Sequence, residues 1–185
     1  MFFRPARTAV VVRGRKLQAA AQQAPCKTVA DVLKQTASLS ALSSASDRLS
    51  APLKAELTSS AGGAFTFFAP SDTAIRTLLA SLPGGGASLL SNETALTALL
   101  SYHLVSGAAL AAADLKDGQQ LATALKGVPP LRVRLADGGV LIVAVGSEAA
   151  VVQPNIKTCR GVVHVIDTVL LPIMGSGAMA LPQQG

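Results

Sequence analysis

From Thr28 onward the apolar positions fall at helical spacing. Val29, Val32 and Leu33 share one face, Thr28 stands before them as a capping residue, and Asp31 follows as the acidic member of a capping box. Leu39, Leu42 and Leu49 mark a second helical stretch. A third runs from Pro52, a good first-turn residue, through Leu53 and Leu57 until Gly62-Gly63 ends it. Phe65-Thr-Phe-Phe-Ala69 is short and rich in strand formers. It leads into Pro70-Ser71-Asp72, where Ser71 or Asp72 should cap a helix carrying Ile75, Leu78, Leu79 and Leu82. Beyond the loop Pro83-Gly-Gly-Gly86, a further helix spans Glu93 to Leu104, with Leu96, Leu99, Leu100 and His103 along a broad stripe. Ala109 to Leu115 holds one more short turn.

The second half changes period. Leu131-Arg-Val-Arg-Leu135 alternates apolar and basic positions, the pattern of a strand with one wet face. Ala136-Asp137-Gly138-Gly139 turns the chain, and Val140 to Val145 returns as a strand expected to be buried on both faces. Ala150-Val151-Val152 begins another strand. The last is Gly161-Val-Val-His-Val-Ile-Asp-Thr-Val-Leu-Leu-Pro172, mostly β-branched and read as a central strand. His164 and Asp167 are its only chargeable side chains, and inside a fold they need partners. Helices followed by mostly antiparallel strands predict an α+β domain. Strand 65–69 lies about 60 residues from the other strands, so it must pair non-locally.

Composition narrows the functional classes. A chain of 185 residues supports one core, and half its residues are apolar with only 14% charged, which excludes a polar disordered chain. The net charge of +6 is local: Arg4, Arg7, Arg13, Arg15 and Lys16 crowd the start. Subtracting those five from the 16 basic residues leaves 11 against 10 acidic ones, so the body is nearly neutral. That argues against a phosphate-neutralising face and a nucleic-acid partner. No apolar run approaches the roughly 18 residues of a transmembrane helix. Residues 1–25, Arg- and Ala-rich and acid-free, read as a leader or disordered basic segment. Three readings stay open: a secretory signal ending near Ala19-Ala20-Ala21, a transit peptide, or a mis-assigned start. Residues 174–185 read as a flexible tail, leaving 26–173 as the domain.

Cys26 and Cys159 alone permit a disulfide, two reduced thiols or half of a metal site. A zinc site with His103 and His164 lacks the close ligand spacing such sites use, and no metal or other cofactor is expected. The disulfide is the adopted reading, tying the start of the first helix to the approach of the last strand in an oxidising compartment. Asn92-Glu93-Thr94 is a glycosylation sequon, and Asn92 serves equally well as a helix N-cap.

Three stretches together resemble the fasciclin domain family. Phe65-Thr-Phe-Phe-Ala-Pro-Ser-Asp-Thr-Ala-Ile75 resembles its first signature, Tyr102-His103-Leu104-Val105 its central Tyr-His motif, and Gly161 to Pro172 its closing signature. Their order and spacing match over roughly Cys26 to Pro172. The resemblance implies a single domain of N-terminal helices packed around a mostly antiparallel β-wedge, usually extracellular and adhesive, in a family not known for enzymes. In animal members the Tyr-His motif and an Asp-Ile pair are implicated in integrin contact. This places partner-binding residues at Tyr102, His103 and Leu104 and at Asn155-Ile156, where Asn stands in place of the family's Asp. Arg160-Gly161 stands where the family has Asn-Gly, and Arg tolerates left-handed backbone less well, so a strained or reshaped turn is expected there.

Asp72, His103, His164 and Asp167 are the polar members of these signatures. The expectation is structural, with Asp72 capping its own helix and bonding across to a histidine. No Gly-x-Ser-x-Gly elbow supplies a nucleophile for an acid–base pair. The chain is therefore expected to be a non-enzymatic extracellular or cell-surface module for a protein receptor or matrix or cell-wall carbohydrate. The alternative is an organelle-targeted accessory domain that binds a small ligand or protein.

Overall fold

Thr28 opens the first helix as expected. Its hydroxyl accepts from the Asp31 N–H at 3.2 Å, and Asp31 Oδ2 accepts from the Thr28 N–H at 2.9 Å, closing a capping box. The computed structural model describes residues 26–58, 63–82, 86, 89, 91–136 and 138–172. The expected leader, the expected tail, Pro83 to Gly85 and Asp137 lie outside them.

Helices α1 (Val29–Gln35), α2 (Ser40–Ser46), α3 (Ala51–Thr58), α4 (Asp72–Ser81) and α5 (Glu93–His103) alternate with strand β1 (Phe65–Pro70) and a single-turn helix, Ala37–Leu39. The chain then becomes strand: β2 (Leu104–Ser106), β3 (Gln120–Leu121), β4 (Leu131–Ala136), β5 (Gly139–Val143), β6 (Glu148–Lys157) and β7 (Gly161–Ile166). The expected α+β class holds: helices pack on a seven-stranded, mostly antiparallel sheet.

The strand order is β2-β1-β7-β6-β5-β4-β3. The non-local pairing required of β1 is met twice. It runs parallel to β7 in register from Phe65 opposite Gly161 to Pro70 opposite Ile166, and antiparallel to β2 on its other side. Both edges are short, and they meet: Thr123, just past β3, bridges Val105 of β2, and the Ala124 N–H donates to the Leu104 carbonyl at 2.7 Å. Curling the sheet until its edges touch removes the exposed ladder that invites unwanted strand pairing.

The pleat of β1 and β7 divides the interior. Phe67, Ala69, Val163 and Val165 face the helices and pack with Val32, Leu33, Leu42 and Leu99. Phe68 and Ile166 face the other way, into the wedge with Tyr102, Leu131, Val133 and Ile142. Every residue of both strands is buried, as the apolar run in β7 predicted. Gly161 is needed at this seam, because a Cβ there would run into the Phe65 carbonyl oxygen and ring.

Two expectations are corrected. Strand β5 is not buried on both faces: among its residues only Ile142 is fully covered, while Leu141 and Val143 on the other face are half-buried. The helix expected to reach Leu104 ends at His103, and Leu104 opens β2, which like β3 is too short to carry a period and is defined by its pairing. Of the strained and reshaped alternatives at Arg160-Gly161, the unstrained one holds: Arg160 avoids left-handed geometry, and Thr158 closes the turn, its Oγ1 accepting from the Gly161 N–H and donating to the Gly161 carbonyl, both at 3.0 Å.

Candidate functional site

The polar residues of the three signatures gather around the β1–β7 seam, and each has a partner that defines its task. Ser71, not Asp72, caps α4, accepting from the Ala74 N–H at 3.2 Å. Asp72 points across to α2. Its carboxylate accepts from the Ser40 hydroxyl at 2.6 Å, the Ala41 N–H at 2.8 Å and the Ser40 N–H at 3.2 Å. The expected self-cap and histidine bond are therefore corrected: Asp72 caps the neighbouring helix, whose first residues have no capping side chain of their own. Partial burial opposes its ionisation, but the Ser40 and Ala41 donors and the Arg76 charge outweigh it and hold the carboxyl below its ordinary value.

His103 ends α5 fully buried. Its Nδ1 lies 2.7 Å from the Leu99 carbonyl oxygen, and its Nε2 lies 3.0 Å from the Leu170 amide nitrogen. A carbonyl only accepts and an amide N–H only donates, so the ring is the neutral Nδ1–H tautomer. Burial pushes its pKa down to about 4 against the opposing pull of the Leu99 carbonyl. A second proton on Nε2 would point straight at the Leu170 N–H.

His164 repeats the arrangement on β7. Its ring lies over Phe68 with centroids 5.6 Å apart. Nε2–H donates to the Leu110 carbonyl at 2.9 Å, and Nδ1 accepts from the Asn155 N–H at 3.3 Å. Burial lowers its pKa too, with the Leu110 carbonyl again opposing. Asp167 is exposed yet structural: Oδ1 accepts from the Ala150 N–H at 2.8 Å while its own N–H donates to the Ala150 carbonyl at 3.1 Å. Together the two residues extend the β6–β7 connection past Ile166.

The residues expected at a partner surface separate into two groups. Tyr102, His103 and Leu104 are buried, so in the folded domain their side chains offer a partner no surface. Burial raises the Tyr102 pKa, with the Val145 backbone opposing, yet the hydroxyl completes no hydrogen bond. Asn155 is exposed and Ile156 half-buried, both in the irregular part of β6 where the pairing with β7 slips register. Asn155 sits at φ 64°, a left-handed conformation that Asn tolerates well, and its Oδ1 accepts from the Ala112 N–H at 2.8 Å.

Cys26 and Cys159 form a disulfide with Cα atoms 4.9 Å apart, and the Cys159 N–H donates to the Lys27 carbonyl at 2.8 Å beside it. Asn92 is exposed and caps α5 through a 3.0 Å bond from the Ala95 N–H. Sequence reasoning passed over Thr66. It is fully buried in β1, where its hydroxyl donates to the Ala108 carbonyl at 2.8 Å and accepts from the Leu110 N–H at 2.9 Å. A lone hydroxyl inside an aromatic strand was the available signal. Among the described residues, no three His, Cys, Asp or Glu side chains are placed to hold a metal ion.

Comparison with known proteins agrees with this geometry. The fasciclin domain family model matches residues 24–172. Two proteins of the cyanobacterium Synechocystis sp. are similar: protein sll1483, 35% identical over 62% of this chain and 59% of its own length, and the uncharacterized protein sll1735, 35% identical over 59% of this chain and 74% of its own. The chain thus spans about three-fifths of the first. Among solved structures, a FAS1 domain pair from the insect cell adhesion molecule fasciclin I superposes with a TM-score of 0.67 at 21% identity. The overlap covers 80% of this chain and 51% of that one, and it is a likeness of fold.

Proposed function

The chain belongs to the fasciclin domain family, and from that premise we propose that it is a non-enzymatic interaction module of the extracellular space or cell surface. Its partner is a protein receptor or a matrix or cell-wall carbohydrate. The observation that carries the reading is the fate of the signature side chains. Asp72, His103, His164 and Asp167 all spend their polar atoms on backbone or hydroxyl groups of the fold. Both histidines are buried, neutral and locked between a donor and an acceptor, the reverse of a base poised for proton transfer. The disulfide supports an oxidising location.

The contact surface lies on the stretch of β6 from Val152 to Lys157, which includes Asn155 and Ile156. Val152 is 58% exposed, and Gln153, Pro154 and Lys157 are exposed beside it. An exposed aliphatic side chain beside polar neighbours is the kind of anchor small interfaces use. Full-length oxidised protein is applied to matrix-protein, cell-wall-polysaccharide and glycan arrays. Specific retention that Val152→Asp weakens by about tenfold without changing the melting temperature supports the proposal. Blank arrays, or retention indifferent to Val152→Asp, would count against it.

A further inference from the structure

Strand β6 slips twice against β7. Gln153 lies opposite Val165 and Ile156 opposite Val163, so Pro154 and Asn155 share the single partner His164. Pro154 has no N–H to give, and the Asn155 N–H goes to a side chain. His164 takes it: Nδ1 accepts at 3.3 Å while Nε2–H donates to the Leu110 carbonyl at 2.9 Å. Asn155 sits at φ 64°, and among the described residues it is the only non-glycine with a positive φ. Left-handed backbone is a minority state even for Asn, so it persists where the surroundings hold it. Two bonds do so here, the one from its N–H to His164 and the one its Oδ1 accepts from the Ala112 N–H at 2.8 Å.

We propose that His164 and Asn155 form an acid-operated latch: protonation of His164 Nδ1 releases the bulge and displaces the β6 stretch from Val152 to Lys157. An imidazolium carries hydrogen on both nitrogens and accepts nothing, so Nδ1–H would meet the Asn155 N–H donor to donor. The bulge then loses one of its two ties, while the bond to Leu110 survives. No acidic neighbour is at hand to favour the charged ring. Strand β1 has no charged residue, and His164 is the only titratable one in β7. Glu148 of β6 pairs with Arg134, Asp167 accepts from the Ala150 N–H, and Asp114 of the single-turn helix Ala112–Asp114 accepts from the Ala111 N–H. Lys116 and Lys157 are exposed, and Tyr102 and His103 of α5 stay neutral near neutral pH. Burial holds the His164 pKa below its ordinary value, with the Leu110 carbonyl opposing, so the latch is closed at neutral pH. In the released form the ring meets water and titrates near 6.5. That form binds the extra proton and gains population as pH falls below about 6.5. Control of binding by the latch rests on the interface proposed on β6; the motion itself does not.

The test follows the amide and Cα resonances of the full-length oxidised protein from about pH 7.5 to about pH 5. Gln153, Asn155 and Ile156 are expected to shift with one midpoint below about 6.5, shared with the His164 ring nitrogens, while Leu131 and Val133 of the wedge core stay in place. His164→Gln keeps a neutral acceptor and donor throughout that range and is expected to abolish the step. Asn155→Ala repeats the test should that variant fold poorly: lacking the side-chain tie, its bulge is expected to be released already at about pH 7.5. Titration of the ring without movement of β6, a step that persists in His164→Gln, an unchanged bulge in Asn155→Ala, or β6 and core shifting together each overturns the proposal. Retention on the matrix, polysaccharide and glycan arrays is expected to be at least about tenfold weaker at the lower pH, and equal at both in His164→Gln. Retention indifferent to pH while the step is present overturns the control of binding. Arrays blank at both pH values with the step present leave the latch standing and count against the interface alone.

Discussion

His103 shows how much one side chain can hold. It links the last turn of α5 to the segment after β7 through two hydrogen bonds inside a dry core. Replacing it with Ala leaves the Leu170 N–H and Leu99 carbonyl less satisfied and opens a cavity. The expected loss is about 3 kcal/mol, read from urea unfolding. Its titration has a definite sign. The ring's pKa is near 6.5 when unfolded and about 4 when folded, so between those values the unfolded chain binds the extra proton. Stability is therefore complete above pH 6.5 and falls as pH drops toward 4, by about 1.4 kcal/mol per unit at the steepest. His164 adds to the slope in the same direction. Unfolding curves from pH 7.5 to 4.5 test this, and a flat profile would refute it. Tyr102 is the counter-case. Its buried hydroxyl meets only the Val145 backbone and completes no hydrogen bond among the described residues, a state that costs up to about 1–3 kcal/mol. Tyr102→Phe should be neutral or raise the melting temperature, whereas a clear destabilisation would mean the hydroxyl has a bond worth keeping.

At the scale of elements, the first signature works as a double cap. Ser71 closes α4 and Asp72 closes α2, so two consecutive residues orient two helices that pack on the same core. Asp72→Ala removes the acceptor of two backbone N–H groups and a hydroxyl, and should cost about 1–2 kcal/mol in chemical unfolding. Ser71→Ala removes a single bond and should cost about 1 kcal/mol. The cap on α4 was visible in the local pattern around Pro70. The one on α2 was not, because its acceptor arrives from 32 residues further along the chain. The parallel β1–β7 pair has its own weak point. Gly161→Ala forces a methyl into the Phe65 carbonyl, and backbone cannot yield there without spoiling the register from Phe65 to Pro70. A loss of about 2 kcal/mol or more is expected, seen as a lowered melting temperature or a failure to accumulate folded protein.

Across the whole molecule, the disulfide spans 133 positions and fastens the entry to α1 beside the entry to β7. In the chain-entropy account, closing a loop of that length stabilises by about 4–5 kcal/mol. The double variant Cys26→Ser/Cys159→Ser should lose a large part of that in urea unfolding. Its fold should persist near neutral pH, because Val29, Val32 and Leu33 still bury α1 against the core. If reduction left stability unchanged, the tether would be incidental and its support for an oxidising location would weaken. Stability is thus distributed: a helix-facing core, a wedge core and one covalent clasp, with the sheet's two edges turned onto each other.

Local order along the chain was enough to determine the elements and the class. The capping box at Thr28, the helical stripes, the strand Phe65–Pro70 and the buried run after Gly161 are all written in residues a few positions apart, because helix and strand periods and caps are short-range physics. The same local reading marked Asp167 and His164 as polar groups needing internal ties, whereas the cysteines, 133 positions apart, were left by it with more than one reading. Only the tertiary structure decided which strand lies beside which, that one face of β5 is only half covered, and that β6 slips register around Asn155. It also decided that Asp72 serves α2 and that Tyr102, His103 and Leu104 belong to the core. Burial is a property of everything that packs around a residue, and an exposed and an interior helical stripe can have the same spacing.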